Sequence, residues 1–191
     1  QTENAYAAQV NIQGNGNDVL LNGTYYTAPQ SNFDFTLDIR HLLMSTVDAF
    51  SFGQLTQGSV ELNGSLQLKG STDAPQVRGK VHFDSVATNI TYLNSLYKMP
   101  NETITFDEKG IGFNKFTILD SMNRRATING YAYTKDLRFY SFGLDVNARN
   151  FRALNTKQND NQLYYGPVYI DCDIHLRGGM NVPKIDMDLR L

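Results

Sequence analysis

The 191-residue chain contains no tryptophan, one cysteine and five prolines. Because a lone cysteine has no internal partner, the fold cannot depend on a disulfide within the chain. Lysine and arginine total 17 against 19 aspartate and glutamate, a net charge of −2, which removes the electrostatic basis for binding nucleic acid or an anionic membrane. No stretch approaches the roughly 20 apolar residues that a helix needs to cross a bilayer. These absences argue against a disulfide-stapled domain, a nucleic-acid-binding domain and a helical membrane span.

Signals for catalysis are also missing from the sequence. There is no glycine-rich phosphate loop and no motif around a nucleophilic serine or cysteine. The aspartates of the C-terminal region alternate with apolar residues and lack the spacing of a calcium-binding loop (Asp171, Asp173, Asp186 and Asp188). Cys172 falls on the apolar side of an alternating segment and is interpreted as a small buried hydrophobe. The sequence therefore predicts a non-enzymatic protein without a metal site or cofactor.

What the sequence does contain is strict alternation of apolar and polar residues, the pattern of a half-buried strand. Five segments carry it without a charged residue on the apolar face. Their apolar members, predicted to line one continuous surface, are Phe33, Phe35, Leu37 and Ile39; Val60, Leu62, Leu66 and Leu68; Phe142, Leu144 and Val146; Val168, Ile170, Ile174 and Leu176; Ile185, Met187 and Leu189.

The chain also repeats itself. Asn22–Thr27 returns as Asn129–Thr134, and Leu66–Gly70 returns as Ile174–Gly178. Residues 17–83 are therefore predicted to be one copy and residues 124–191 a second, with strands from 84–123 inserted between them. Repeated one-sided strands favour a stacked array over a closed globule with a unique pocket. We expect residues 1–191 to form a single grooved β-unit belonging to a larger protein.

Local signals refine this expectation. The apolar parity changes between Phe113 and Phe116, which predicts a β-bulge near residues 114–115. One strand of 14 residues is predicted from Tyr164 to Arg177. Mid-strand glycines are expected to let long strands bend (Gly64, Gly79 and Gly130). Short helical turns are predicted only at 42–50 and 150–155, equivalent places in the two copies.

Several segments, in order, carry a resemblance to a known family. They are Leu66-Gln67-Leu68-Lys69-Gly70-Ser71 with Ala74-Pro75 and Val77-Arg78-Gly79; Phe106-Asp107-Glu108-Lys109-Gly110-Ile111-Gly112-Phe113; Asp120-Ser121; Ala126-Thr127-Ile128-Asn129-Gly130; and Asn150-Phe151-Arg152-Ala153-Leu154-Asn155-Thr156 followed by Asp160-Asn161-Gln162-Leu163-Tyr164-Tyr165-Gly166. In these segments the chain resembles the C-terminal domain of the TamB proteins, components of the translocation and assembly module of Gram-negative bacteria, and their AsmA-like relatives.

The resemblance implies a long, twisted, mostly antiparallel sheet folded lengthwise into a U-shaped hydrophobic trough, a β-taco. It also implies a periplasmic location, an inner-membrane anchor elsewhere in the full protein, and a role in lipid transport or protein secretion during outer-membrane biogenesis. The implied partners are phospholipid, or another acyl-chain ligand, and an outer-membrane assembly-barrel protein.

The strand pattern by itself leaves other architectures open. The sheet could close as an outer-membrane β-barrel, with its apolar face toward lipid, or pack as a β-sandwich binding or adhesion module. For an open trough we also expect self-association through an edge strand or the groove mouth, because exposed apolar surface and unpaired strand edges favour it.

Overall fold

The computed structural model describes residues 4–27, 30–158 and 165–191. They form an all-β fold with eleven strands in one antiparallel sheet. The strands are β1 (Ala5–Gly14), β2 (Asn17–Tyr26), β3 (Asn32–Leu43), β4 (Leu55–Gly70), β5 (Pro75–Ile90), β6 (Ser95–Asp107), β7 (Gly110–Leu119), β8 (Arg125–Tyr133), β9 (Ser141–Thr156), β10 (Gly166–Gly179) and β11 (Val182–Arg190). A helix, α1 (Met44–Phe50), follows β3, and one 3₁₀ turn (Thr91–Leu93) joins β5 to β6.

Each strand pairs with the next one along the chain, so the sheet is a simple meander from β1 to β11. Within the described residues β1 pairs only with β2 and β11 only with β10, which leaves the sheet open with two free edges. The predicted all-β, elongated antiparallel sheet is confirmed. Short turns suffice for most connections because neighbouring strands run in opposite directions.

The sheet is strongly curved between β6 and β9. Three strand spacings separate these strands, about 14 Å in a flat sheet. Yet the Tyr97 hydroxyl donates a hydrogen bond to the carbonyl of Ala153 at 2.6 Å, and its ring stacks on Phe151 with 5.7 Å between centroids. Such contacts require the sheet to curl toward its apolar side. That side is therefore concave, and the architecture is a trough.

Glycines permit the close approach of the strands. Gly64 and Gly79 have φ of +156° and +138°, and a Cβ on either would lie about 2 Å from a carbonyl oxygen of the neighbouring strand (2.2 and 2.1 Å). Gly130 has φ of +115°, and a Cβ there would lie 2.0 Å from the carbonyl oxygen of Gly143. All three positions are the glycines predicted to bend their strands, and no other residue type fits them.

Three local features predicted from the sequence, one bulge and two helical turns, have different outcomes. A register shift between Phe113 and Phe116, with Lys115 at φ of +51°, confirms the bulge in β7. The helical turn predicted at 42–50 is confirmed as α1, but the one at 150–155 is wrong. There β9 continues as a strand that bulges around Asn150, because Phe151 is held on the concave face by Tyr97 and Cys172.

Buried apolar residues concentrate at one end of the trough, here called the packed end, where α1 and the 3₁₀ turn lie. One cluster places Met44 of α1 on Leu62 and Val86. A second cluster consists of Tyr97, Ala126, Ala148, Phe151 and Cys172. The opposite end, with the β4–β5, β6–β7 and β8–β9 connections, is called the open end. Its lining side chains are only half-buried.

The two copies of the predicted repeat fall on β2–β5 and on β8–β11. Between them, residues 84–123 form the second half of β5, the 3₁₀ turn, β6 and β7. Gly23 and Gly130 occupy matching places, each too close to the next strand for a Cβ. The repeat remains a prediction, but its boundaries coincide with whole strands except inside β5. Of the segment 160–166 that carries part of the family resemblance, residues 160–164 lie outside the described residues.

Candidate functional site

The concave face carries apolar residues in continuous rows that cross all eleven strands. Because directly paired residues of antiparallel strands share a face, the rows follow from the register. One row is Ile12, Val19, Ile39, Gly64, Val81, Ile104, Phe113, Gly130, Leu144, Leu176 and Ile185. The next, toward the open end, is Val10, Leu21, Leu37, Leu66, Gly79, Phe106, Ile111, Ala132, Phe142, Gly178 and Pro183. Neither row contains a polar side chain.

The convex face is polar in the matching row. Its members are Asn11, Leu20, Asp38, Ser65, Lys80, Thr105, Gly112, Tyr131, Gly143, Arg177 and Lys184. Leu20 is the single aliphatic side chain among them. In these rows the sheet is therefore two-faced across its whole width, and its apolar side is the concave one.

Most of the predicted lining residues lie on the concave face. Buried at the packed end are Ile39 and Leu62. Half-buried are Phe33, Phe35, Leu37, Leu66, Leu68, Phe142, Leu144, Val146, Val168, Ile170, Ile174 and Leu176. Half-burial distinguishes this surface from a filled core, because the side chains pack on their strand neighbours while one side remains accessible.

The predicted residues at the ends of the set are more exposed. Ile185, Met187 and Leu189 continue the concave rows onto the edge strand β11 and are 62%, 49% and 41% exposed. Val60 requires a correction. Alternation predicts that it shares a face with Leu62, but it lies in a register shift with φ of +66° and is 46% exposed. The local kink interrupts the alternation, so Val60 does not belong to the paired rows.

The five predicted segments leave out part of the lining. β1 contributes Tyr6, Val10 and Ile12, and the inserted strands contribute residues such as Ile104 and Phe113. Their alternation is visible in the sequence, in Tyr6-Ala-Ala-Gln-Val-Asn-Ile12 for instance, although each segment is short. A carboxylate also lies on the concave face, because Glu102 is the partner of Phe83 where the packed and open ends meet.

Charged residues of the convex face pair with one another. Asp145 contacts His175 and Arg177, each at 2.6 Å. Hydrogen bonds from these two side chains hold the pKa of Asp145 below its ordinary value. Asp173 is paired with Arg149 at 2.8 Å, which likewise lowers the pKa of its carboxyl group. These acids therefore serve as surface ion-pair partners.

The side chains with catalytic or metal-binding chemistry are dispersed. Cys172 is buried in the packed end, and burial raises the pKa of its thiol, which keeps it protonated and unreactive. Over residues 4–27, 30–158 and 165–191, histidine, cysteine and acidic side chains form no group of three that could hold a metal ion.

In the part of the chain that the structure describes, no helix has the length and apolar character needed to cross a membrane. Comparison of the chain with protein-family models, with curated proteins and with solved structures gives no match. The resemblance to TamB proteins thus remains a prediction from the sequence segments.

Proposed function

We propose that this chain is a hydrophobic trough that carries phospholipid acyl chains along its concave face. The observation that supports this most directly is the pair of unbroken apolar rows across eleven strands. A lipid-carrying surface must avoid polar groups that would have to be desolvated without a partner. The two rows meet this requirement, and Glu102, a carboxylate on the concave face, lies outside them, toward the packed end.

The dimensions and energetics of the trough suit an acyl chain. Ten strand-to-strand steps of about 4.8 Å give each row a contour length of roughly 48 Å, measured along the curled sheet. One leaflet of a bilayer core is about 15 Å thick, which is about the length that one acyl chain spans. Each row is therefore about three times as long as a single acyl chain. Each buried methylene contributes about 0.8 kcal/mol, and uniform aliphatic contact favours sliding over arrest at one point.

The partners and location follow from the TamB resemblance and are part of the proposal. We place the chain in the periplasm, as a segment of a protein anchored in the inner membrane, supporting delivery of lipid toward the outer membrane. An outer-membrane assembly-barrel protein is the proposed protein partner. A trough open along its concave side would allow cargo to pass without enclosing it.

Assembly of outer-membrane proteins is the second candidate function, and β1 favours it. This ten-residue edge strand pairs with β2 without a register shift and contains no charged residue and no proline. Such an edge can accept another strand through main-chain hydrogen bonds. An extended segment of an unfolded membrane protein, with alternating apolar residues, would continue both faces of the sheet.

A binding assay with matched variants tests the carrier function. A phospholipid with a fluorescent acyl chain is titrated with the protein, with Leu66→Asp and with Gln67→Asp. Leu66 lies on the concave face and Gln67 on the convex face of the same strand. We expect Leu66→Asp to weaken binding at least tenfold and Gln67→Asp to leave it unchanged, with circular dichroism confirming that both variants fold. Equal affinities in all three proteins would exclude the concave face as the binding surface.

A further inference from the structure

A notch interrupts the sheet at its open end, between β5 and the β6–β7 turn. Hydrogen-bonded pairing of β5 with β6 begins at Gly79 opposite Phe106. If the same register continued beyond Gly79, Val77 would pair with Glu108. Instead, β6 ends at Asp107 and the chain turns back into β7. Residues 75–78 are therefore paired with β4 on one side and lack a strand on the other.

The notch contains a cavity of about 270 Å³. Its apolar lining includes Val77, Phe106 and Leu137. Phe106 belongs to the concave row through its partner Gly79, and Val77 lies opposite Leu68 on the same face. The cavity is thus continuous with the trough.

A loop crosses this end of the sheet. Residues 134–140 connect β8 to β9, and Arg138 donates from its guanidinium to the carbonyl of Thr72 in the β4–β5 turn at 2.9 Å. Thr134 is tied to the β6–β7 turn by donating its N–H to the carbonyl of Lys109 at 3.0 Å. Together these contacts hold the loop over the notch and leave the cavity as a bounded site.

Charges of both signs line the cavity in equal number, Arg78 and Lys135 against Asp107 and Glu108. Arg78 is the partner of Gln67 and so belongs to the convex face, whereas Val77 beside it belongs to the concave face; the notch is therefore lined from both faces. Arg78 and Glu108 reach each other across the notch at 2.8 Å, and both side chains are mostly exposed. An exposed pair of this kind adds little stability, so it can be exchanged for other partners. A ligand that carries both a phosphate and an ammonium group could satisfy both members at once.

We infer that the notch is a headgroup site for a zwitterionic phospholipid whose acyl chains lie on the concave rows and whose headgroup passes through the notch toward the convex face. The lipid phosphate binds Arg78, whose planar guanidinium suits bidentate binding of phosphate, and the lipid ammonium group binds the carboxylate of Glu108. Neither protein charge is left without a partner, and the site remains neutral overall. The inference rests on the proposed carrier function and adds a lipid class and a point of attachment.

The test compares three probes with the same fluorescent acyl chain: phosphatidylethanolamine, phosphatidylglycerol and diacylglycerol. Diacylglycerol lacks the headgroup, and phosphatidylglycerol lacks the ammonium. The variants are Arg78→Gln and Glu108→Gln, and the control is Arg40→Gln, which removes an exposed cross-strand ion pair with Asp18 elsewhere on the sheet. Free phosphoethanolamine is added as a competitor, to distinguish the headgroup alone from the intact lipid.

We expect Arg78→Gln to weaken phosphatidylethanolamine binding about tenfold, in line with the loss of charge-assisted hydrogen bonds, and to leave diacylglycerol binding unchanged. Glu108→Gln should weaken phosphatidylethanolamine and strengthen phosphatidylglycerol, and Arg40→Gln should change neither. Phosphoethanolamine should compete only weakly, because it lacks the acyl chains. If Arg78→Gln affects all probes equally, or none, the headgroup site is wrong while the carrier function stands. If no probe binds the unmodified protein, the carrier function fails and the headgroup site fails with it.

Discussion

The carboxylate of Asp120 accepts the backbone N–H of Arg152 at 2.9 Å, joining the β7–β8 turn to β9 across the strand that separates them. The other carboxylate oxygen accepts the N–H groups of Met122 and Arg124 at 2.8 and 2.9 Å. Asp120 is 1% exposed. This one side chain therefore fixes both the turn and the curl of the sheet at the packed end.

Replacing Asp120 with asparagine should lower the free energy of unfolding by about 2 kcal/mol, because a charged acceptor with three backbone donors is lost in a buried site. Urea denaturation at neutral pH measures this. Asp136→Asn is the matched control, since Asp136 also accepts two backbone N–H groups, from Arg138 and Phe139, but in an exposed loop. If Asp136→Asn lowers the free energy of unfolding as much as Asp120→Asn does, the structural role assigned to the buried carboxylate is contradicted.

The same carboxylate predicts a pH dependence. Burial alone would raise the pKa of Asp120, but its backbone donors and the Arg124 guanidinium outweigh burial and hold that pKa below the ordinary 3.8. A carboxyl group with a lowered folded-state pKa stabilises the protein above its unfolded-state pKa, and this stabilisation is lost as pH falls through the folded-state pKa. Below about pH 4, the stability of the native protein should fall more steeply than that of Asp120→Asn. Parallel acid profiles for the two proteins would refute the assignment.

Gly130 should not tolerate a side chain. Gly130→Ala places a Cβ 2.0 Å from the carbonyl oxygen of Gly143 at φ of +115°, so we expect a loss of about 3 kcal/mol or more. Gly14→Ala has a similarly positive φ of +136° but no atom within 4 Å, and should lose only about 1 kcal/mol. The difference, measured by chemical denaturation, isolates the close approach of β8 and β9. Equal losses would mean that strain alone, and not strand proximity, requires glycine.

Two valines of β5 distinguish the packed end from the open end. Val86 is 0% exposed, and Val86→Ala should cost about 2.5 kcal/mol from lost burial and the cavity left behind. Val77 is half-buried beside the notch, and Val77→Ala should cost less than about 1 kcal/mol. A large loss at Val77 would indicate that the open end is a filled core, as in a β-sandwich, and would count against a lipid-accessible surface.

The uncharged edge β1 should pair with β1 of a second copy. An axis normal to the sheet makes the two strands antiparallel and keeps both concave faces on one side. Gln9→Lys places two like charges near each other across that junction and should shift the protein toward monomer, most strongly at low salt. Gln67→Lys makes the same change on the convex face at the centre of the sheet and should have no effect. Sedimentation velocity over a concentration range measures this, and a purely monomeric native protein at every concentration would refute the pairing.

Much of the fold could be predicted from alternation alone. The period of two in segments such as 33–39 and 168–176 fixed which residues share a face, and the parity change between Phe113 and Phe116 located the bulge. Alternation does not reveal that residues 42–50 contain a helix whereas residues 150–155 form a strand. Phe151 stays in a strand because Tyr97, 54 positions earlier in the chain, stacks on it, and no local pattern encodes that contact.

The notch at the open end could not be predicted from the sequence either. The turn at 107–110 is evident from its residues, but whether it stops short of Pro75 depends on the register between β5 and β6. Similarly, the kink that removes Val60 from the lining arises from pairing with β5 and not from its own neighbours. Alternation specifies faces, whereas the lengths of strands relative to one another are set by tertiary pairing.

The most direct test of the account is site-specific photo-crosslinking in cells. A photoreactive residue is placed at Leu66 or Ile174 on the concave face, or at Gln67 or His175 on the convex face, within the full-length protein. Covalent adducts are then identified by mass spectrometry. The account predicts phospholipid adducts at Leu66 and Ile174 and none at Gln67 and His175. Adducts at neither concave position, in a protein that is expressed and folded, would contradict it and show that the trough does not carry lipid.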